Sequence, residues 1–113
     1  MSVYRDPDVP IEVIVGQTFT IALEALPSGG YTWMEVYDPD MIELLKPKYY
    51  APRAPEIGED ADRPRIGEGR EEMFEFQTRQ PGETHIELKN QREWEATARD
   101  IKIFRVHITR QGQ

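Results

Sequence analysis

Apolar residues recur at every second position along most of the chain, which is the period of a half-buried strand. Ile11, Val13 and Val15 share one face, and Gly16-Gln17 then offers a turn. Phe19, Ile21, Leu23 and Ala25 face one way in the next run, against Thr18, Thr20 and Glu24. A third run covers Tyr31–Tyr37, with Tyr31, Trp33 and Tyr37 opposite Thr32, Met34 and Val36, and Asp38-Pro39-Asp40 breaks it. Met41–Tyr50 is mixed: Met41-Ile42-Glu43-Leu44-Leu45 has the character of a short helix start, whereas Pro47 and the tyrosines favour an extended path. Residues Ala51 to Arg65 are rich in proline and charge without apolar period, and predict one long exposed loop.

Alternation resumes at Arg70–Thr78, with Phe74 and Phe76 on one face, and stops at the turn Gln80-Pro81-Gly82-Glu83. Thr84, Ile86 and Leu88 form a further half-buried strand. Lys89–Asp100 is expected to be a loop, and Phe104, Val106 and Ile108 align in a last strand over Ile101–Thr109. About seven short strands and no convincing long helix predict an all-β domain, either an immunoglobulin-like sandwich or a small barrel.

Composition narrows the function classes. The chain has 113 residues, which suits a single domain over 1–113. Charged residues make up 31%, yet two Trp, five Tyr and four Phe are enough to anchor a small core. A net charge of −7 disfavours a nucleic-acid partner. No apolar run approaches the roughly 20 residues of a membrane span, and the start Met1-Ser2-Val3-Tyr4-Arg5 lacks the apolar stretch of a signal peptide. Both a cytoplasmic protein and an exported one whose leader has been removed fit that start. The absence of cysteine removes disulfides, thiolate metal sites and a cysteine nucleophile.

Other chemistry is sparse. His85 and His107 fall on strands, and neither has a second histidine at ligand spacing. Asp60 and Asp62 lack the rest of a calcium loop. Ser28 lacks the glycine two residues earlier that a nucleophile elbow needs. The pair Glu71-Glu72 is expected on a solvated face. No cofactor and no catalytic residue is expected.

Three connections stand out. Leu26–Gly30 leads into aromatics, as Leu-Pro-Ser-Gly-Gly-Tyr-Thr-Trp over 26–33. Ile66–Arg70 holds Gly67 and Gly69, and Asn90–Arg99 holds Arg92-Glu93-Trp94-Glu95. Proline fixes a backbone angle, glycine permits positive ones, and Trp and Arg are enriched at binding hot spots. Connections in a sandwich tend to alternate between its two ends, so these three are expected to cluster at one end. Trp33 alternates with core positions and is expected to pack inside. Trp94 has two places open to it: an exposed contact, or a lid on one end of the core.

The segments Pro27–Trp33, Gly67–Arg70 and Arg92–Glu95 follow the order and spacing of three motifs of the chagasin-like inhibitors of cysteine proteases, and the chain resembles that family over roughly residues 10 to 110. The resemblance implies an eight-stranded immunoglobulin-like fold whose three loops wedge into the cleft of a papain-like protease. It places Pro27, Ser28, Gly29, Gly30 and Tyr31 in the first motif, Gly67, Glu68, Gly69 and Arg70 in the second, and Arg92 and Trp94 in the third. It also implies a reversible inhibitor with a protease as partner, without cofactor or membrane, and monomeric. The family pattern has Asn where Leu26 stands, Thr-Thr for Ser28-Gly29, Gly for Arg70 and Pro for Glu93. Losing a proline at Glu93 and gaining a glycine at Gly29 is expected to leave the loops less preorganised and binding weaker. A non-inhibitory immunoglobulin-like binding module, with altered loop tips serving another partner, is the alternative.

Overall fold

The computed structural model describes residues 2–25, 28–52 and 70–111. Nine strands lie among them: β1 (Val3–Tyr4), β2 (Ile11–Ile14), β3 (Thr18–Glu24), β4 (Thr32–Val36), β5 (Ile42–Leu44), β6 (Tyr49–Pro52), β7 (Arg70–Thr78), β8 (Gly82–Gln91) and β9 (Asp100–Thr109). They form two sheets. One runs β1-β3-β7, with β5 and β6 end to end along the far edge of β7; the other runs β2-β9-β8-β4. β1 joins β3, and β2 joins β9, in parallel; every other pairing is antiparallel. The result is a β-sandwich, as the alternation predicts.

The inward faces carry the alternating apolar residues. Phe19, Ile21, Leu23, Ile42, Phe74 and Phe76 come from one sheet. Ile11, Val13, Trp33, Ile86, Leu88, Phe104, Val106 and Ile108 come from the other. Phe19 and Phe76 stack with centroids 5.6 Å apart, and Tyr37 meets Phe76 edge-on at 5.4 Å. Burying such side chains supplies about 1.5–3 kcal/mol each before conformational entropy is charged.

Met41–Tyr50 takes the extended path that Pro47 and the tyrosines favour, because Ile42–Leu44 and Tyr49–Pro52 both find open hydrogen-bonding edge along β7. Three expectations change. Ala51 and Pro52 therefore belong to a strand, and the rest of the expected 51–65 loop lies outside the described residues. β8 continues to Gln91, so the loop after it begins at Arg92 rather than Lys89. Finally, Glu71 and Glu72 are both buried, not solvated. Glu71 takes a bidentate grip from Arg5, at 2.7 and 2.9 Å. Glu72 shares its parity with Phe74 and Phe76 and points into one end of the sandwich.

Candidate functional site

β3 ends at Glu24, and the chain re-emerges as a single 3-10 turn over Ser28–Gly30 before entering β4. Gly29 and Gly30 both have φ of 79°, a left-handed backbone that glycine adopts without strain. Trp33 is buried, as its alternation predicts. Its indole Nε1 donates to the Glu24 carbonyl at 2.9 Å, across the neck of the first loop.

The turn from β8 to β9 occupies 92–99 at the same end. The amide of Glu95 donates to the carbonyl of Arg92 at 3.1 Å, and that of Arg99 to the carbonyl of Asn90 at 2.9 Å. Arg92 Nη1 pairs with Glu95 Oε1 at 2.9 Å. This ion pair and turn hold the segment where the family pattern has a proline. Trp94 is 71% exposed, so it does not close the core.

The first and third loops touch. A β-carbon on Gly30 would fall 2.7 Å from Trp94 Cη2, and one on Gly29 would fall 3.1 Å from Arg92 Nη2. The two glycines are thus where the neighbouring loop lies against bare backbone. Tyr31, half-buried, carries the guanidinium carbons of Arg99 and Arg92 over its ring at 3.7 and 4.5 Å from the centroid. Arg92 also lies 5.8 Å from the Trp94 ring centroid. Arg99 is anchored by Nε donating to Asn90 Oδ1 at 2.6 Å. The looseness expected from Gly29 and Glu93 therefore meets a set of contacts that hold both loops.

The structure brings together Gly29, Gly30, Tyr31, Arg92 and Trp94. Arg70 opens β7 and is exposed, and its carbonyl accepts from the Ala25 amide at 2.7 Å, which sets the start of β7 beside the first loop. Ser28 stands in the 3-10 turn; Pro27, Gly67, Glu68 and Gly69 lie outside the described residues.

Four residues at this end escape the sequence reading: Arg99, Asn90, Lys48 and Glu72. For two of them a signal existed, since Asn90 continues the inward parity of Ile86 and Leu88, and Glu72 that of Phe74. Arg99 and Lys48 carry no periodic signal. Among the described residues no group of three or more His, Asp or Glu has metal-holding geometry. His107 meets Glu83, at 3.3 Å between Nδ1 and Oε1, on the outer face of its sheet. No helix among the described residues is long and apolar enough to cross a membrane.

The family model of the chagasin family of peptidase inhibitors, I42, matches residues 12–108. The chain belongs to the chagasin family. Membership makes it a peptidase inhibitor rather than an enzyme, and the resemblance to that family is borne out. Solved structures share the chagasin-like fold. The Entamoeba histolytica cysteine protease inhibitor EhICP2 superposes with a TM-score of 0.69 at 18% identity, over 95% of this chain and 96% of that one. Amebosin superposes with a TM-score of 0.62 at 21% identity, over 97% of each chain. Among curated proteins none matches.

Proposed function

We propose that this chagasin-family chain is a reversible, stoichiometric inhibitor of papain-like cysteine proteases, and that its loop end occludes the active-site cleft. The observation that carries this reading is the exposed Trp94 lying against Gly30, which makes one ridge of two loops distant in sequence. EhICP2, whose fold the chain shares, is itself a cysteine protease inhibitor.

A cleft enzyme is blocked by a convex body that excludes substrate and water. It needs no chemistry, provided no carbonyl is offered at the angle of attack. In this reading the turn over Ser28–Gly30, with Pro27 before it and Tyr31 after it, sits over the catalytic centre. Gly29 and Gly30 are exposed in it, and their bare faces seat Arg92 and Trp94. Gly67, Glu68, Gly69 and Arg70 grip one wall of the cleft, and Arg92 and Trp94 the other. Trp94 supplies the anchor: a large rigid side chain already held on one side by Gly30 loses little freedom on binding, where each immobilised side chain otherwise costs about 0.5–1.5 kcal/mol. Arg92 is committed to Glu95 and Tyr31, so its main part is to hold the ridge. No cofactor takes part, and the inhibitor acts as a monomer over its single domain, 1–113.

Titration of papain or a cathepsin with the chain tests this. Activity should fall linearly to an equivalence point near one inhibitor per active site and recover on dilution. Full protease activity at micromolar inhibitor would refute the reading and favour a binding module for another partner.

A further inference from the structure

We propose that Glu72 and Lys48 are a positioning pair, which locks the exit of the first loop to the start of β7 and so fixes the ridge that meets the protease. The acid is deeply placed, with Glu72 1% exposed, and Lys48 is partly buried above it. Its carboxylate receives the Thr32 hydroxyl at 2.9 Å and the Trp33 amide at 3.2 and 3.3 Å. Lys48 Nζ donates to Glu72 Oε1 at 2.7 Å and to the Trp33 carbonyl at 2.6 Å, and also to the Thr32 hydroxyl.

These contacts join three segments. Thr32 and Trp33 open β4, one residue past the Ser28–Gly30 turn. Glu72 is two residues past Arg70, at the start of β7 in the other sheet. Lys48 lies between β5 and β6. Among the described residues β4 is the outer strand of its sheet, and it pairs there with β8 alone. In an antiparallel ladder alternate residues turn both backbone groups away from the neighbouring strand. At Trp33 those two groups meet a carboxylate and an ammonium, which stand where a further strand would pair.

Chemistry explains why a charged pair occupies a place that continues the Phe74 and Phe76 stripe. An apolar side chain would fill the space without directing a backbone amide and carbonyl. Ions are costly to bury, and a buried pair is a poor choice for stability alone. Its gain is directional: one geometry satisfies the carboxylate, the ammonium, the hydroxyl and the Trp33 peptide together. The loop that ends at Trp33 thereby inherits the position of β7, the strand that begins at Arg70.

The inference rests on the loop end being the protease-binding surface. Its test therefore has one readout that does not depend on inhibition. Two variants are compared with the wild type: Glu72→Gln, and the double change Glu72→Leu with Lys48→Met, which leaves no unpaired buried charge. Amide hydrogen exchange is followed over 28–33 and 92–95, with β8 and β9 as internal reference, and inhibition of papain is measured in parallel. Exchange in the loop segments should quicken at least tenfold in the double variant while the β8 and β9 core amides hold. The inhibition constant should rise about tenfold, chiefly through slower association, because fewer molecules hold the binding geometry. Glu72→Gln, which keeps an acceptor, should show a smaller change in both. Unchanged loop exchange in the double variant overturns the pair's positioning role. Quickened exchange with inhibition as strong as wild type overturns its bearing on the ridge. A wild type that does not inhibit papain refutes the protease reading by itself, and the exchange result still decides whether the pair locks the loop.

Discussion

The two ends of the sandwich are closed by different means. At the end away from the loops, closure is mostly backbone. The Thr78 amide donates to the Gln17 carbonyl at 3.0 Å, the Gly16 amide to the Thr78 carbonyl at 3.1 Å, and the Arg79 amide to the Met41 carbonyl at 2.7 Å. One buried hydroxyl completes it: Thr78 Oγ1 accepts from the Gly16 amide at 2.9 Å and donates to the Ile14 carbonyl at 3.0 Å. At the loop end, side chains do the closing: Trp33 on Glu24, Glu72 with Lys48, two arginines over Tyr31, and Trp94 on Gly30. Backbone closure leaves nothing to present. Side-chain closure holds loops in place from beneath and leaves glycine backbone and an indole facing outward. The difference in construction matches the difference in task.

Substitutions at each end should separate the two. The largest effect is expected from Trp94→Ala, which should weaken protease inhibition by about 2–3 kcal/mol, the scale of an interface hot spot. An exposed indole contributes little to the core, so the thermal midpoint should shift only slightly. Comparable losses in both would erase the distinction between the ends. Next comes Thr78→Val at the far end. It removes the hydroxyl that the Gly16 amide and the Ile14 carbonyl share, leaves that amide its bond to the Thr78 carbonyl, and should cost about 1 kcal/mol in urea unfolding, with the inhibition constant unchanged for the folded protein. A rise in that constant would show that the ends communicate.

Gly30→Ala should act at the loop end on both readouts. A methyl there meets the Trp94 ring and imposes a left-handed backbone on alanine, which costs about 1 kcal/mol of stability. It should weaken inhibition further by pushing the indole off its support. Pairing it with Trp94→Ala in a double-mutant cycle should give non-additive inhibition energies; simple additivity would mean that the two loops act separately.

The smallest effect belongs to neither end. On the outer face of β7, the hydroxyl of Tyr49 and then the ammonium of Lys46 hold the Glu75 carboxyl below its ordinary range. A carboxyl depressed in the folded state adds stability above its unfolded value, and that gain is lost as pH falls through the folded one. Tyr49→Phe should therefore lower the thermal midpoint slightly at neutral pH, with the gap closing in acid. A gap that widens in acid would reverse the assignment.

Much of this construction was legible in the chain, and the reasons it was not wholly so are physical. Period-two alternation marks strands whose faces differ in burial, so β2, β3, β7, β8 and β9 were readable. β1 is two residues long, and β6 carries two tyrosines and a proline at an edge, so neither has a contrast to detect. Parity was the better guide where composition misled: Glu72 and Asn90 look like surface residues, yet each continues an inward stripe. What alternation cannot reveal is which distant residue answers a buried charge. Arg5 meets Glu71 across 66 positions, and Lys48 meets Glu72 across 24. The contact of Gly30 with Trp94 was foreseeable only as a clustering of loops. That both glycines mark places where another loop lies against the backbone needed coordinates.

The Trp33 indole ties the base of the first loop to the end of β3, while Gly29 and Gly30 answer to Arg92 and Trp94 of the third. The two tips are therefore exchanged together or not at all. Selection, or a designed library, can rewrite both tips for a different target while the body beneath stays the same.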